Sequence, residues 1–121
     1  MILVDTSVWI SHFRDADVVL MSLLNADEVL THPFVIGEIA LGNLHGRNSV
    51  LADLHDLPKA ISANNEEAMS LIEGEQLFGL GIGYIDLHLL AATRLTPGAR
   101  LWTRDKRQAE IATRLGIAAS V

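Results

Sequence analysis

The sequence predicts an α/β domain with a central, mostly parallel sheet of four or five short strands flanked by helices. Short aliphatic runs alternate with longer stretches whose apolar residues recur at helical spacing. Strands that alternate with helices, rather than clustering, give a parallel sheet with helical crossovers. At 121 residues the chain holds enough material for one core but not two, so residues 1–121 are expected to form a single domain.

Met1–Val4 reads as a buried strand, followed by a helix from about Ser7 to Phe13 and a second over Asp17–Leu24. Glu28–Thr31 is a short strand. Pro33 then opens a helix without losing a hydrogen bond, and this helix is expected to run to about Leu44, before Gly46. Val50, Leu51, Leu54 and Leu57 share one face of a helix over Ser49–Leu57 that stops at Pro58. Ala60–Ser62 is read as a strand. Asn65 is placed as the cap of a helix reaching Phe78, with Glu66 and Glu67 favourably set in its first turn. A glycine-rich loop, Gly79–Gly83, leads into a helix from Tyr84 to Leu95. After the Pro97-Gly98 turn come a strand over Arg100–Thr103, a helix over Lys106–Leu115 and a last strand at Ile117–Ala119.

Composition narrows the function. Half the residues are hydrophobic and mean hydropathy is +0.30, high for a small monomer, so a partner or second copy is expected to cover part of the surface. Cysteine is absent, which excludes disulfides and Cys-based zinc sites. No apolar run reaches the ~18 residues of a membrane span. Asp5 interrupts the apolar start that a signal peptide needs, and a cytoplasmic protein is expected. The net charge of −6 hides an asymmetry: residues 1–93 carry 3 Lys/Arg and 13 Asp/Glu, residues 94–121 carry 6 and 2. A basic end beside an acidic, metal-filled pocket suits a phosphate backbone, although a solvated helix face gives the same pattern.

Three acids stand alone in otherwise uncharged stretches. Asp5 is the only ionised side chain in Met1–Phe13, Glu38 in Thr31–Gly46 and Asp86 in Gln76–Thr93. Burying an unpaired carboxylate costs several kcal/mol or more, and a shared divalent cation resolves that cost. Asp5 follows a strand and precedes a helix, at the carboxyl edge where open α/β sheets bind ligands, and it is also placed to cap that helix. Glu38 shares a face with Phe34, Val35, Leu41 and Gly42, and Asp86 with Leu89, Leu90 and Thr93. Asp105 admits two readings, an acid at the same sheet edge or the first residue of the capping-box spacing Asp105-Lys106-Arg107-Gln108. Ser7 and Thr103 are candidate hydroxyls for holding a water at the metal.

Oxygen ligands without cysteine favour Mg²⁺ or Mn²⁺ over zinc. Such an ion lowers the pKa of water and stabilises charge on a phosphoryl oxygen, and a pair of ions about 3.5–4 Å apart clamps the attacking and leaving oxygens. Four carboxylates facing two divalent ions are near charge balance, which suits phosphodiester hydrolysis. His12, His32, His45, His55 and His88 show no metal-ligand spacing and read as surface or core residues. Trp9 and Trp102 read as core or interface anchors. Gly79, Gly81 and Gly83 alternate with apolar residues and make no phosphate cradle.

Four stretches, in order across the whole chain, resemble the PIN-domain family and within it the VapC-type toxins of bacterial toxin–antitoxin modules. They are Leu3-Val4-Asp5-Thr6-Ser7-Val8-Trp9; Pro33-Phe34-Val35-Ile36-Gly37-Glu38-Ile39-Ala40; Gly81-Ile82-Gly83-Tyr84-Ile85-Asp86 with Leu89-Leu90-Ala91-Ala92; and Leu101-Trp102-Thr103-Arg104-Asp105-Lys106-Arg107. The resemblance implies a PIN-like fold and a metal-dependent endoribonuclease using Mg²⁺ or Mn²⁺. By position, Asp5 and Asp86 become the principal ligands, Glu38 and Asp105 complete the quartet, and Thr6, Ser7 and Thr103 supply nearby hydroxyls. Arg104, Lys106 and Arg107 become candidates for contacting RNA. It further implies a homodimer neutralised by a VapB-type antitoxin.

Two competing readings remain at this stage. One is a PIN-like binding protein without catalysis. The other is a receiver-like signalling domain, which needs adjacent acids after the first strand, where this chain has Asp5-Thr6, and an Asp after the third strand, which it lacks.

Overall fold

Leu3 and Val4 are wholly inaccessible to solvent because their strand, β1 (Ile2–Val4), lies in the middle of a parallel sheet covered on both faces. The computed structural model describes all residues, Met1–Val121. The sheet order is β2-β1-β3, with β2 at Val29–Leu30 and β3 at Arg100–Trp102. Leu3 pairs with Leu30 on one side and with Leu101 on the other, and Val4 pairs with Trp102.

The sheet has three strands rather than the four or five expected. Neither outer run forms a strand: Ile117–Ala119 reduces to one parallel bridge, Leu101 with Ala118, and Ala60–Ser62 is unpaired as a strand, the single bridge on that side falling one residue earlier, Thr31 with Lys59. Pro58 accepts from Thr31 N but has no N–H to extend the ladder, and β2 is only two residues long, so the outer pairing ends where it begins.

Seven helices connect and cover these strands: α1 (Thr6–Arg14), α2 (Val18–Asn25), α3 (Pro33–Leu41), α4 (Arg47–Asp56), α5 (Asn65–Glu75), α6 (Tyr84–Leu95) and α7 (Lys106–Arg114). Most start on a side-chain cap. Asp17 accepts from Val19 N and Leu20 N at the head of α2. Asn64, not Asn65, caps α5, in a reciprocal box with Glu67. That helix ends at Glu75, short of Phe78, because Gln76 turns left-handed. Helix α3 likewise stops at Leu41 with Gly42 as its cap, three residues before the expected end. Seven consecutive residues of α6, Leu87 to Thr93, are buried, which marks it as the central helix, enclosed on all sides. Asp86 lies immediately before this block, where the helix emerges at the carboxyl edge of the sheet.

Candidate active site

Each of the four acids owes its place to a different element, and the strand register brings two of these elements together. Asp5 N donates to Trp102 O (2.9 Å), so the residues leaving β1 and β3 run side by side at one edge. Asp5 both caps α1 and sits in the site: it is 4% exposed, and its Oδ2 accepts from Ser7 N (3.1 Å), Ser7 Oγ and Thr103 Oγ1 (3.0 Å). Its Oδ1 receives no donor from the protein. One oxygen is thereby fixed, and the other is left for something outside the chain.

Glu38, half-buried on α3, is tied to the same edge by Thr6 Oγ1, which donates to its Oε1 at 2.7 Å. Asp105 caps α7 by accepting from Gln108 N (2.9 Å). The capping box is only half formed, because the Gln108 side chain does not return to Asp105. It donates instead from Nε2 to the Asp86 carbonyl (3.2 Å), while its Oε1 accepts from Thr103 Oγ1 (2.9 Å). Both readings of Asp105 therefore hold at once, as a helix cap placed at the edge that carries Asp5.

Asp86 shows what this grouping does. Its carboxyl is raised from the ordinary 3.8 to about 6, first by desolvation and then by the negative charges of Asp5, Asp105 and Glu38. The charges of Asp5, Asp105 and Glu38 thus all reach Asp86. Their side chains do not converge into a ready-made cage, since no three His, Asp or Glu groups are arranged to hold a metal ion. The site nonetheless fits a divalent cation in donor type and in charge: hard oxygens, an uncompensated cluster of carboxylates and a free Asp5 oxygen.

The hydroxyls and cations take more specific positions than the sequence shows. Ser7 and Thr103 both point at Asp5 Oδ2, and Thr6 at Glu38. Arg104 donates from its backbone N to Ser7 Oγ, while its guanidinium pairs with Asp17 Oδ2 at 2.7 Å. Backbone donors at Leu20 and Val19, together with Arg104, hold the Asp17 carboxyl below its ordinary range against the opposing effect of desolvation. Arg107 lies over Gly81 and donates to its carbonyl (3.3 Å), tying α7 to the loop before α6. Lys106 is exposed and makes no ion pair.

Gly81 has φ +81°, and a Cβ there would collide with the Arg107 guanidinium. Gly81→Ala is therefore expected to cost about 1–2 kcal/mol, mostly from the left-handed backbone, since the arginine tip can move aside. Urea unfolding of the variant measures this, and an unchanged midpoint would remove Gly81 from the set of residues shaping the site.

Sequence reasoning missed three contributors. Gln108 carried a signal: it is a polar residue on the stripe shared by Ile111, Ala112 and Leu115. Asp17 reads only as the first residue of a helix, and its pairing with Arg104 is a long-range contact. His32 read as a filler, yet its Nδ1 accepts from Phe34 N (3.0 Å) and caps the helix that carries Glu38. Burial, then the neighbouring His88, depress His32 from 6.5 to about 4, so the ring is neutral, as that cap requires.

Comparison with known proteins identifies the family. The family model described as "PIN domain" matches residues 2–114. Two proteins named Ribonuclease VapC32, from Mycobacterium tuberculosis strains CDC 1551 / Oshkosh and ATCC 25618 / H37Rv, are each 46% identical over 118 residues, covering 98% of this chain and 95% of the relative. A match of that extent leaves no place for a receiver-like domain. With its four acids at the carboxyl edge of a parallel sheet, the chain belongs to the PIN-domain family, in its VapC-type branch.

Proposed function

We propose that this chain is a metal-dependent endoribonuclease, the toxin of a type II toxin–antitoxin module, which hydrolyses RNA phosphodiester bonds. The observation that carries the reading is the Asp86 carboxyl, lifted to about 6 by burial and three other acids. Such a cluster has a use when a divalent cation shares it, and the 46%-identical relatives are named ribonucleases. Asp5 and Asp86 are the principal ligands in this reading, with Glu38 and Asp105 completing the set. Mg²⁺ is the favoured ion and Mn²⁺ its substitute. When bound, the ion supplies an activated water and stabilises charge on the phosphoryl oxygens.

The chain's own residues orient that chemistry. Ser7 and Thr103 fix Asp5 Oδ2 and so aim Oδ1 outward, and Thr6 aims Glu38 in the same way. Lys106 offers a free cation for the RNA backbone beside the cluster. Arg104 and Arg107 join it by exchanging Asp17 and the Gly81 carbonyl for phosphate.

The expected inhibitor is a VapB-type antitoxin, and the expected assembly is a homodimer in the cytoplasm. Exposed apolar residues support covered surface, with Leu41 90%, Val18 77% and Phe78 62% exposed. No helix is long and apolar enough to cross a membrane. Light scattering at micromolar concentration is expected to give twice the 13.2 kDa chain mass, and a monomer would refute that assembly. The activity is tested by incubating the protein with total RNA plus Mg²⁺ or Mn²⁺, and again with chelator. Discrete products only with metal support the proposal; equal cleavage in chelator, or none in any condition, counts against it.

A further inference from the structure

We infer that Gln108 is a positioning residue of the acidic site, holding Asp86 and Asp105 in register with Asp5 so that the cluster takes up its cation. The inference rests on the proposed metal dependence and extends it to a residue outside the quartet. Gln108 is fully buried, and its amide orientation is fixed by its neighbours. The Asp86 carbonyl can only accept, so Nε2 must face it, which turns Oε1 towards Thr103. Its backbone N donates to Asp105. One residue therefore touches the carbonyl of one acid, the carboxylate of a second and, through Thr103, the carboxylate of a third. Between the loop-and-helix segment 79–95 and the segment 103–114, the only other hydrogen bond is that from Arg107 to Gly81.

Proton bookkeeping at Thr103 makes this tie responsive to the cation. Thr103 Oγ1 accepts from Asp105 N (3.0 Å) and has one hydrogen to give, with three oxygens in range: Gln108 Oε1 at 2.9 Å, Asp5 Oδ2 at 3.0 Å and, more distant, Ser7 Oγ at 3.3 Å. Asp5 Oδ2 keeps two donors from Ser7 if Thr103 turns away. Gln108 Oε1 has no other donor and no solvent, so an ungiven proton leaves it unsatisfied. As a cation draws on the Asp5 charge, the Thr103 hydrogen turns to Gln108, and Asp5 is freed to adjust without breaking the network.

The test is Mn²⁺ affinity, read from the spectrum of free Mn²⁺ by electron paramagnetic resonance. Gln108→Met keeps the volume and removes both polar contacts. It is expected to unfold cooperatively and to bind Mn²⁺ about tenfold or more weaker, the scale of a lost outer partner. Thr103→Val is expected to lose a similar factor, and the double variant no more than the larger single loss, since both act through one network. Binding by Gln108→Met within twofold of wild type, or losses that multiply, would overturn the inference. If Gln108→Met does not fold, nuclear magnetic resonance of the wild type decides. Slowly exchanging Gln108 side-chain amide protons that shift as Mg²⁺ saturates support it; fast-exchanging, unmoved ones overturn it. A wild type that takes up no Mn²⁺ overturns both this and the metal reading, whereas equal binding by wild type and Gln108→Met overturns this alone.

Discussion

Asp86→Asn is expected to lower RNA cleavage by at least about 10²-fold and, without divalent metal, to yield a protein more stable than wild type. The first half follows from the ligand role proposed for Asp86, because even an outer partner of a metal is worth about 10–100-fold. The second half follows from the repulsion at this carboxyl, which burial and the charges of Asp5, Asp105 and Glu38 drive up to about 6. An amide of the same shape carries no charge to repel, and it keeps the backbone carbonyl that accepts from Gln108. The two halves are measured separately, by RNA digestion and by thermal unfolding in chelator. A variant that is inactive but less stable in chelator would show Asp86 to be structural. One that keeps full activity would remove it from the site.

The second large effect is on stability, and it grows with pH. In the folded protein Asp86 titrates near 6 instead of 3.8, so between these values the folded state holds more protons than the unfolded state. Its contribution therefore falls as pH rises through about 4 to 6 and stays lowered above. His32 works in the opposite direction: its folded value is about 4 against 6.5, and its contribution rises across nearly the same window. The two oppose each other in metal-free protein, and its melting temperature is expected to change little there.

On the proposed metal binding, a cation would remove the Asp86 cost and leave the His32 gain. The stabilisation by Mg²⁺, taken as the difference between metal and chelator at each pH, is thus expected to be near nil at pH 4 and full above 6. At one hundred times the dissociation constant it reaches about 2.7 kcal/mol. Melting curves with and without Mg²⁺ across pH 4–7.5 check this. A metal effect that is flat over that range would mean the ion binds elsewhere. Asp86→Asn should abolish the effect at every pH.

The layout is legible in the local sequence. Isolated acids in apolar stretches, the order of strand and helix, and four family-like stretches in register point to an α/β PIN-like chain and single out Asp5, Glu38, Asp86 and Asp105. These signals are legible because an unpaired carboxylate is costly to bury and periodicity is local. Helix ends were less legible. Asn64 rather than Asn65 caps α5, and α5 stops at Gln76, because both outcomes depend on which backbone groups find partners within a single turn.

The wiring of the site comes from long-range packing. Nothing local says that Thr103 reaches Asp5 across 98 positions, that Arg104 turns to Asp17, or that Gln108 leaves its capping box for the Asp86 carbonyl. The same holds for the sheet, which gains a single bridge on either side, at Lys59 and at Ala118. A side-chain hydrogen bond goes to whichever partner the packed chain brings within about 3 Å, and at long range only the fold sets that distance.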